Sequence, residues 1–198
     1  MSHPLRCRCG NIRGEVRDAS RSNRGICYCR DCQAFASFLD KTSDTLDPQG
    51  GTQIIQTIQA NVTFFQGSEH LVCIRLTQDG LLRWYASCCR TPIGNTPADH
   101  RISFVGLIHT CLQSPAVSID ESFGPVRMWV NTSGATGPTP VPTRGMVAGI
   151  WRFLRMVFWA RINGDYKRSA FFRSFSKAGT ALPIAAVRVL NSKDTPVR

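Results

Sequence analysis

Arg24-Gly25-Ile26-Cys27-Tyr28-Cys29-Arg30-Asp31-Cys32-Gln33 places three thiols within six residues. Sulfurs that close do not pair as local disulfides without strain, whereas all three can face one soft cation such as zinc. A tetrahedral zinc held by three protein ligands keeps a fourth position for water or substrate. A fourth protein ligand from elsewhere would instead close the site and make it a staple. The stretch alone leaves both readings open.

Cysteines stand at 7, 9, 27, 29, 32, 73, 88, 89 and 111, an odd number gathered in tight groups. The N-terminus, Met1-Ser-His-Pro-Leu-Arg-Cys7, lacks the apolar core of a secretory signal. Clustering in such a chain reads as metal binding rather than a disulfide framework, and the expected location is cytoplasmic. The formal net charge is +11. Seven thiolates on two zinc ions would lower it to about +8. The excess is uneven, because residues 141–198 hold 11 basic side chains against 2 acidic ones. Such an asymmetry favours an anionic membrane surface, nucleic acid or an acidic partner, and charge alone does not choose among them.

Outward from the central stretch, alternating Ile12 and Val16 around Gly14 predict a strand leaving a knuckle at Cys7-Arg8-Cys9-Gly10. Ala34, Phe35 and Phe38 predict a turn or two of helix over Gln33–Leu39, with a loop at Asp44–Gly51. Strands are predicted at Thr52–Gln59, Val62–Gln66, Leu71–Thr77, Leu81–Ala86, Ile102–Ile108 and Val126–Asn131. Gln78-Asp79-Gly80 reads as a hairpin loop with positive φ at the Asp-Gly pair. Its far strand runs into Ser87-Cys88-Cys89-Arg90-Thr91-Pro92-Ile93, delivering two thiols to one place. Residues 132–145, with three prolines, three glycines and four threonines, read as a linker between a β domain over 1–131 and a basic helical extension over 146–198. In that extension Met146–Ile162 reads as a helix with a thin polar face, expected to bury most of its surface.

Set side by side, Cys7-x-Cys9-Gly10, Cys27-x-Cys29-x-x-Cys32 and a cysteine followed by x-Thr91-Pro92-Ile93 resemble the glutathione-dependent formaldehyde-activating enzyme family, which includes centromere protein V. The resemblance covers roughly residues 5–110. It implies a mainly β, Mss4-like fold stapled by two zinc ions. It also implies a four-sulfur structural site to which Cys7, Cys9 and Cys89 correspond. The second, catalytic zinc would be held by Cys27, Cys29 and Cys32, where the family handles glutathione. Ala86 stands where the family has the first cysteine of its late C-x-x-C, and Arg90 where it usually has glycine.

That departure matters because Cys88 and Cys89, in extended chain, would point to opposite faces. The missing ligand is sought first in Cys88, so that the metal set becomes Cys7, Cys9, Cys88 and Cys89 with Cys27, Cys29 and Cys32. Cys73, Cys111 and His109 are the other choices, and loss of the site is a further one. Cys73 and Cys111 otherwise read as small buried hydrophobes, with His109 sharing the face of Cys111 on a strand. His70 and His100 read as exposed loop residues.

Arg8, Arg30 and Arg90 each neighbour a predicted ligand. Each either holds a carboxylate of an anionic thiol such as glutathione or offsets thiolate charge. Asp31 is the sole candidate base beside the motif.

The expected function is a carbon-sulfur lyase-like zinc enzyme acting on an adduct of a glutathione-type thiol and an aldehyde. The alternative is a non-catalytic zinc-stapled module whose basic helix contacts a partner or an anionic membrane surface through 146–177. Nucleic acid is disfavoured, since no recognised module is present.

Overall fold

The computed structural model describes residues 1–137, 141–173 and 182–190. Parts of the expected linker and extension, Lys177 among them, lie outside the described residues. In chain order the elements are β1 (His3–Arg6), β2 (Arg13–Val16), β3 (Asn23–Cys27), α1 (Arg30–Phe38) and α2 (Thr42–Thr45). Then come β4 (Thr52–Thr57), β5 (Val62–Gln66), β6 (Leu71–Arg75), β7 (Leu82–Ala86), β8 (Pro92–Thr96) and β9 (Val105–Ile108). The described chain closes with α3 (Ile119–Phe123), β10 (Met128–Val130), α4 (Met146–Ile162) and β11 (Val187–Val189). The fold is mainly β.

Two sheets account for the architecture. The smaller, β1-β2-β5, is antiparallel, and the larger runs β10-β3-β4-β9-β8-β7-β6-β11. Its six inner strands pair antiparallel, while β10 and β11 add parallel at its two ends, against β3 and β6.

Side-chain alternation explains how the layers stack, since successive residues on a strand face opposite sides. Cys73 of β6, Leu82 and Trp84 of β7, and Val105 and Leu107 of β9 enter one core with Leu5, Val16 and Val62 from the smaller sheet. Ile74 and Ile108, one step along, enter a second core with Phe35 and Leu39 from α1 and its end. The period-2 pattern thus buries the larger sheet on both faces.

Buried Arg83 of β7 also faces α1, where its guanidinium lies over the Phe35 ring, bonds Asn95 at 3.2 Å and pairs with Asp31 at 3.3 Å. Phe171 and Phe172 join the first core against Trp84, with ring centroids 5.3 and 6.4 Å away. Each aromatic ring so buried contributes roughly 2–3 kcal/mol.

Four local expectations are corrected. Neither Asp79 nor Gly80 takes a positive φ. Six residues separate β6 from β7, and the loop closes through a Gly80 N–H to Thr77 carbonyl bond of 3.1 Å, so the strand twist does not demand a primed turn. His109–Leu112 is a 3-10 turn rather than strand, so His109 and Cys111 do not share a strand face. His100 is buried, with Phe172 at 6.3 Å.

The fourth correction concerns α4, in which Gly149 and Ala160 are the buried residues. Gly149 allows the close approach, since a Cβ there would lie 2.6 Å from Met128 Sδ, and Phe153 meets Phe104 edge-on at 5.0 Å. Val147, Trp151, Leu154, Phe158 and Ile162 are all more than half exposed. Contact with β10 and β3 occupies one narrow side of the helix and leaves its widest apolar side outward. Among the described residues, no helix is long and apolar enough to cross a membrane.

His3 fastens the smaller sheet to the segment after β9. A carbonyl can only accept, so Nε2–H donates to Leu112 O at 2.7 Å, and Nδ1 accepts from the Ser122 hydroxyl at 2.8 Å. Burial pushes this imidazole below its ordinary value of 6.5, against the opposing pull of the Leu112 bond. The depressed pKa means that the unfolded chain takes up the proton first. This part of the stability is therefore present above pH 6.5 and lost as pH falls toward the native value. The difference in denaturant stability between wild type and His3→Gln is expected to be larger at pH 7.5 than at 5.5 (paired urea titrations). A difference that grows on acidification would contradict the burial argument.

Candidate metal centres

Seven of the nine cysteines meet at two points. Cys7, Cys9, Cys88 and Cys89 form one cluster and Cys27, Cys29 and Cys32 the other, with all sulfurs in each cluster within 4.8 Å of one another. All nine cysteines are free thiols.

The first cluster is built from two turns facing each other across the sheets. After β1 the chain folds back at Cys7–Gly10, where Gly10 takes φ 81° and its N–H bonds the Cys7 carbonyl at 3.0 Å. Ile12 N–H points at Cys7 Sγ from 3.2 Å, a donor for a thiolate. Between β7 and β8 the chain also turns, with Arg90 N–H bonding the Ala86 carbonyl at 2.7 Å and Ala86 N–H the Thr91 carbonyl at 2.9 Å.

This tight turn brings Cys88 and Cys89 to the same side. Their sulfurs are 3.9 Å apart, and Cys88 Sγ is 3.8 Å from Cys7 Sγ and 3.3 Å from Cys9 Sγ. The Cys7 to Cys9 spacing is 3.5 Å. A tetrahedron with Zn–S bonds near 2.3 Å has edges of about 3.8 Å, so the four sulfurs fit one zinc. Thr91 Oγ1 ties the turns together, accepting from Arg8 N–H at 3.0 Å and lying 3.1 Å from Cys89 Sγ.

Cys88 is thus one of the four sulfurs of this cluster, beside Cys89. Cys73, Cys111 and His109 remain outside the cluster. Cys73 is fully buried, and burial pushes its thiol up to about 12. Cys111 is also buried, 3.1 Å from the Ile108 carbonyl and 3.3 Å from that of Ile93.

The second cluster sits where β3 gives way to α1. Cys27 ends the strand, Cys29 caps the helix and Cys32 lies in its first turn, so a change of secondary structure folds three sulfurs inward. Backbone N–H groups at this end of a nine-residue helix carry partial positive charge that favours thiolates.

Cys29 and Cys32 thiols both bond Cys27 Sγ, and together with Asn131 Nδ2, 3.2 Å away, they outweigh burial and push Cys27 down to about 2. The same bonds push Cys29 up, and Cys32 further up. Gln33 Nε2 bonds the Tyr28 and Gly134 carbonyls at 3.0 and 2.8 Å, which holds the loop after β10 against the knuckle. Asn131, in the left-handed region at φ 54°, arrives on that loop. No spacing in the sequence announces it, because it lies beyond β10 and reaches Cys27 only through parallel strand pairing.

The two clusters differ in ligand number. Among the described residues, no histidine, carboxylate or further cysteine joins Cys27, Cys29 and Cys32. Both donor sets, sulfur-rich and of tetrahedral size, could hold zinc.

The arginines also sort by cluster. Arg8 pairs with Asp44 at 2.6 Å, while Arg90 bonds the Phe38 carbonyl and lies 3.5 Å from Asp40. Both are engaged beside the four-sulfur cluster. Arg30, next to the three-sulfur cluster, is exposed. Asp31 pairs with Arg83 at 3.3 Å, so the carboxylate within the motif has a structural partner.

Residues 1–175 match a protein-family model described as "Family of unknown function (DUF6151)". No curated protein matches the chain. Among solved structures, that of a Rhodobacter sphaeroides protein aligns over 66% of this chain and 100% of its own, at 15% identity and a TM-score of 0.42.

Arg90 occupies the left-handed region at φ 57°, which costs a residue with a Cβ about 1 kcal/mol and glycine nothing. Arg90→Ala and Arg90→Gly lose the same side-chain contacts but differ in this cost. The glycine variant is expected to be the more stable of the two by about 1 kcal/mol in chemical unfolding, with equal metal content. A more stable alanine variant would show that the turn is not strained at this position.

Proposed function

The chain belongs to that family of unknown function, and we propose that it is a two-zinc protein acting on adducts of a glutathione-type thiol with an aldehyde. In this reading Cys7, Cys9, Cys88 and Cys89 close a structural site, and Cys27, Cys29 and Cys32 hold a working one. The difference between four ligands and three carries the proposal, because a tetrahedral ion with three protein ligands keeps one position for an external group. The finer fold assignment, Mss4-like, belongs to the same reading. It is supported by the order of the cysteine motifs along a mainly β chain.

Zinc in a three-thiolate site supplies Lewis acidity that favours the thiolate form of an incoming thiol and orients its sulfur. The chain's own groups do the rest. Asn131 Nδ2 and the first-turn N–H groups of α1 stabilise negative charge on the ligand sulfurs. Gln33 keeps the loop bearing Asn131 in place. Arg30, exposed one residue beyond Cys29, offers a planar donor pair to a substrate carboxylate. In the addition direction the thiol sulfur bonds the aldehyde carbon while the thiol proton passes to the carbonyl oxygen, giving a hydroxyalkyl thioether; cleavage is the reverse. Asp31 is paired with Arg83, so the proton moves through water.

The second reading, a non-catalytic module that acts through its basic helix, is favoured by the outward apolar face of α4. Cobalt-substituted protein separates the two. Adding glutathione is expected to change the sulfur-to-cobalt absorption of one of two bound ions, and Cys29→Ser should abolish that change while leaving the other ion. Arg30→Ala should raise half-saturation roughly fivefold, as for an exposed charged pair worth about 1 kcal/mol. Spectra indifferent to glutathione would remove the enzyme reading and leave the module.

A further inference from the structure

A cleft of about 930 Å³, lined by no cysteine, opens between α4 and the turns that follow β2 and β4. Six guanidinium groups line it, those of Arg17, Arg21, Arg127, Arg152, Arg155 and Arg168, against two carboxylates, Asp18 and Asp165. Arg17 bonds the Ala60 carbonyl at 2.8 Å and Arg168 pairs with Asp165. Among the described residues, the side chains of Arg21, Arg127, Arg152 and Arg155 meet no carboxylate or carbonyl. Ser22, more than nine-tenths buried, also lines the cleft, and its hydroxyl has no hydrogen-bond partner among the described residues. Arg21, Arg127 and Arg155 are exposed and Arg152 is half-buried, so water solvates them, but their common sign draws anions to the cleft, and the Ser22 hydroxyl would ordinarily be bonded.

The placement of the cleft on α4 indicates what kind of anion fits. At about 100° per residue, Val147, Trp151, Leu154, Phe158 and Ile162 form one outward stripe. Arg155, Trp159, Arg152 and Met156 follow on the adjoining flank, which is the flank that walls the cleft. The cleft therefore opens beside the exposed apolar stripe, not on the opposite side of the helix. A free nucleotide or a nucleic acid would use the cations and leave the stripe in water. A second copy of the chain would cover the stripe but bring like-charged arginine flanks together.

We propose that this face docks on an anionic lipid surface, with headgroup phosphate held in the arginine cleft and the stripe of α4 lying among the acyl chains. Interfacial helices have this combination of apolar face and flanking basic residues. Arginine forks suit phosphate oxygens, and each basic residue near an anionic surface adds to the attraction. The inference is independent of thiol chemistry, so Cys29→Ser protein is expected to dock as the wild type does.

The test is co-sedimentation of the full, metal-loaded chain with vesicles at physiological salt, with tryptophan fluorescence as a second readout. Retention and a blue shift are expected on vesicles one third phosphatidylserine, and neither on phosphatidylcholine alone. Arg152→Gln/Arg155→Gln should weaken partition about 30-fold, and Leu154→Ser/Phe158→Ser should abolish the blue shift. All four positions are at least half exposed or at the cleft wall, and unchanged zinc content would confirm folding.

Equal retention on neutral vesicles, no retention on either, or indifference to the arginine pair would overturn the proposal. Calorimetric saturation by inorganic phosphate without vesicle retention would make the ligand a soluble phosphate. A dimer lost on Leu154→Ser/Phe158→Ser, again without retention, would assign the face to a second copy. Either result removes the lipid.

Discussion

Like charges at sulfur-sulfur contact cannot be left uncompensated, and the architecture of this chain turns on that constraint. Two thiolates about 4 Å apart repel by about 4 kcal/mol at an effective dielectric of 20. Four cysteines within that range must therefore hold a cation or keep their protons. The first cluster joins the turn after β1, in the smaller sheet, to the turn between β7 and β8, in the larger. Whatever holds those sulfurs also locks the two sheets over the core that contains Trp84, Phe171 and Leu5. Thr91 adds a hydrogen-bonded strut at the same junction.

The second cluster is embedded differently, and the difference bears on function. It lies at the end of β3, where β10 adds parallel and brings Asn131 to Cys27. Its ligands come from one short stretch, so nothing in the sheet packing depends on closing it with a fourth residue. A cluster that ties distant strands together gains from four protein ligands. One assembled locally can leave a position to an outside group. On the proposed reading, this is why one chain carries both kinds.

The two cysteine groupings and most inner strands were legible because thiol spacing and period-2 alternation are local signals. Val62–Gln66 and Met146–Ile162 have the bounds that their sequence patterns indicate. Cys88 and Cys89 were ambiguous because adjacent residues diverge in extended chain, and only the turn closed by Ala86 and Thr91 makes them converge. Arg90 occupies a left-handed position that the resemblance assigns to glycine, an irregularity that residue type alone does not reveal. The burial expected of α4 did not follow, because apolar content implies burial only when a partner surface exists. Here Met128 of β10 meets Gly149 and Phe104 meets Phe153, and Gly149 and Ala160 are the buried residues of the helix. The end strands β10 and β11 are three residues long, and their parallel pairing is set by tertiary contacts. Asn131 escaped notice for the same reason.

The central claim is that the clustered sulfurs grip two divalent ions, one held by four sulfurs and the other by three. X-ray absorption at the zinc edge of freshly purified, never-chelated protein addresses it directly. The account predicts two zinc ions per chain with a mean shell of about 3.5 sulfurs at about 2.3 Å and a lighter scatterer completing four-coordination. Protein that is compact yet free of metal would contradict it.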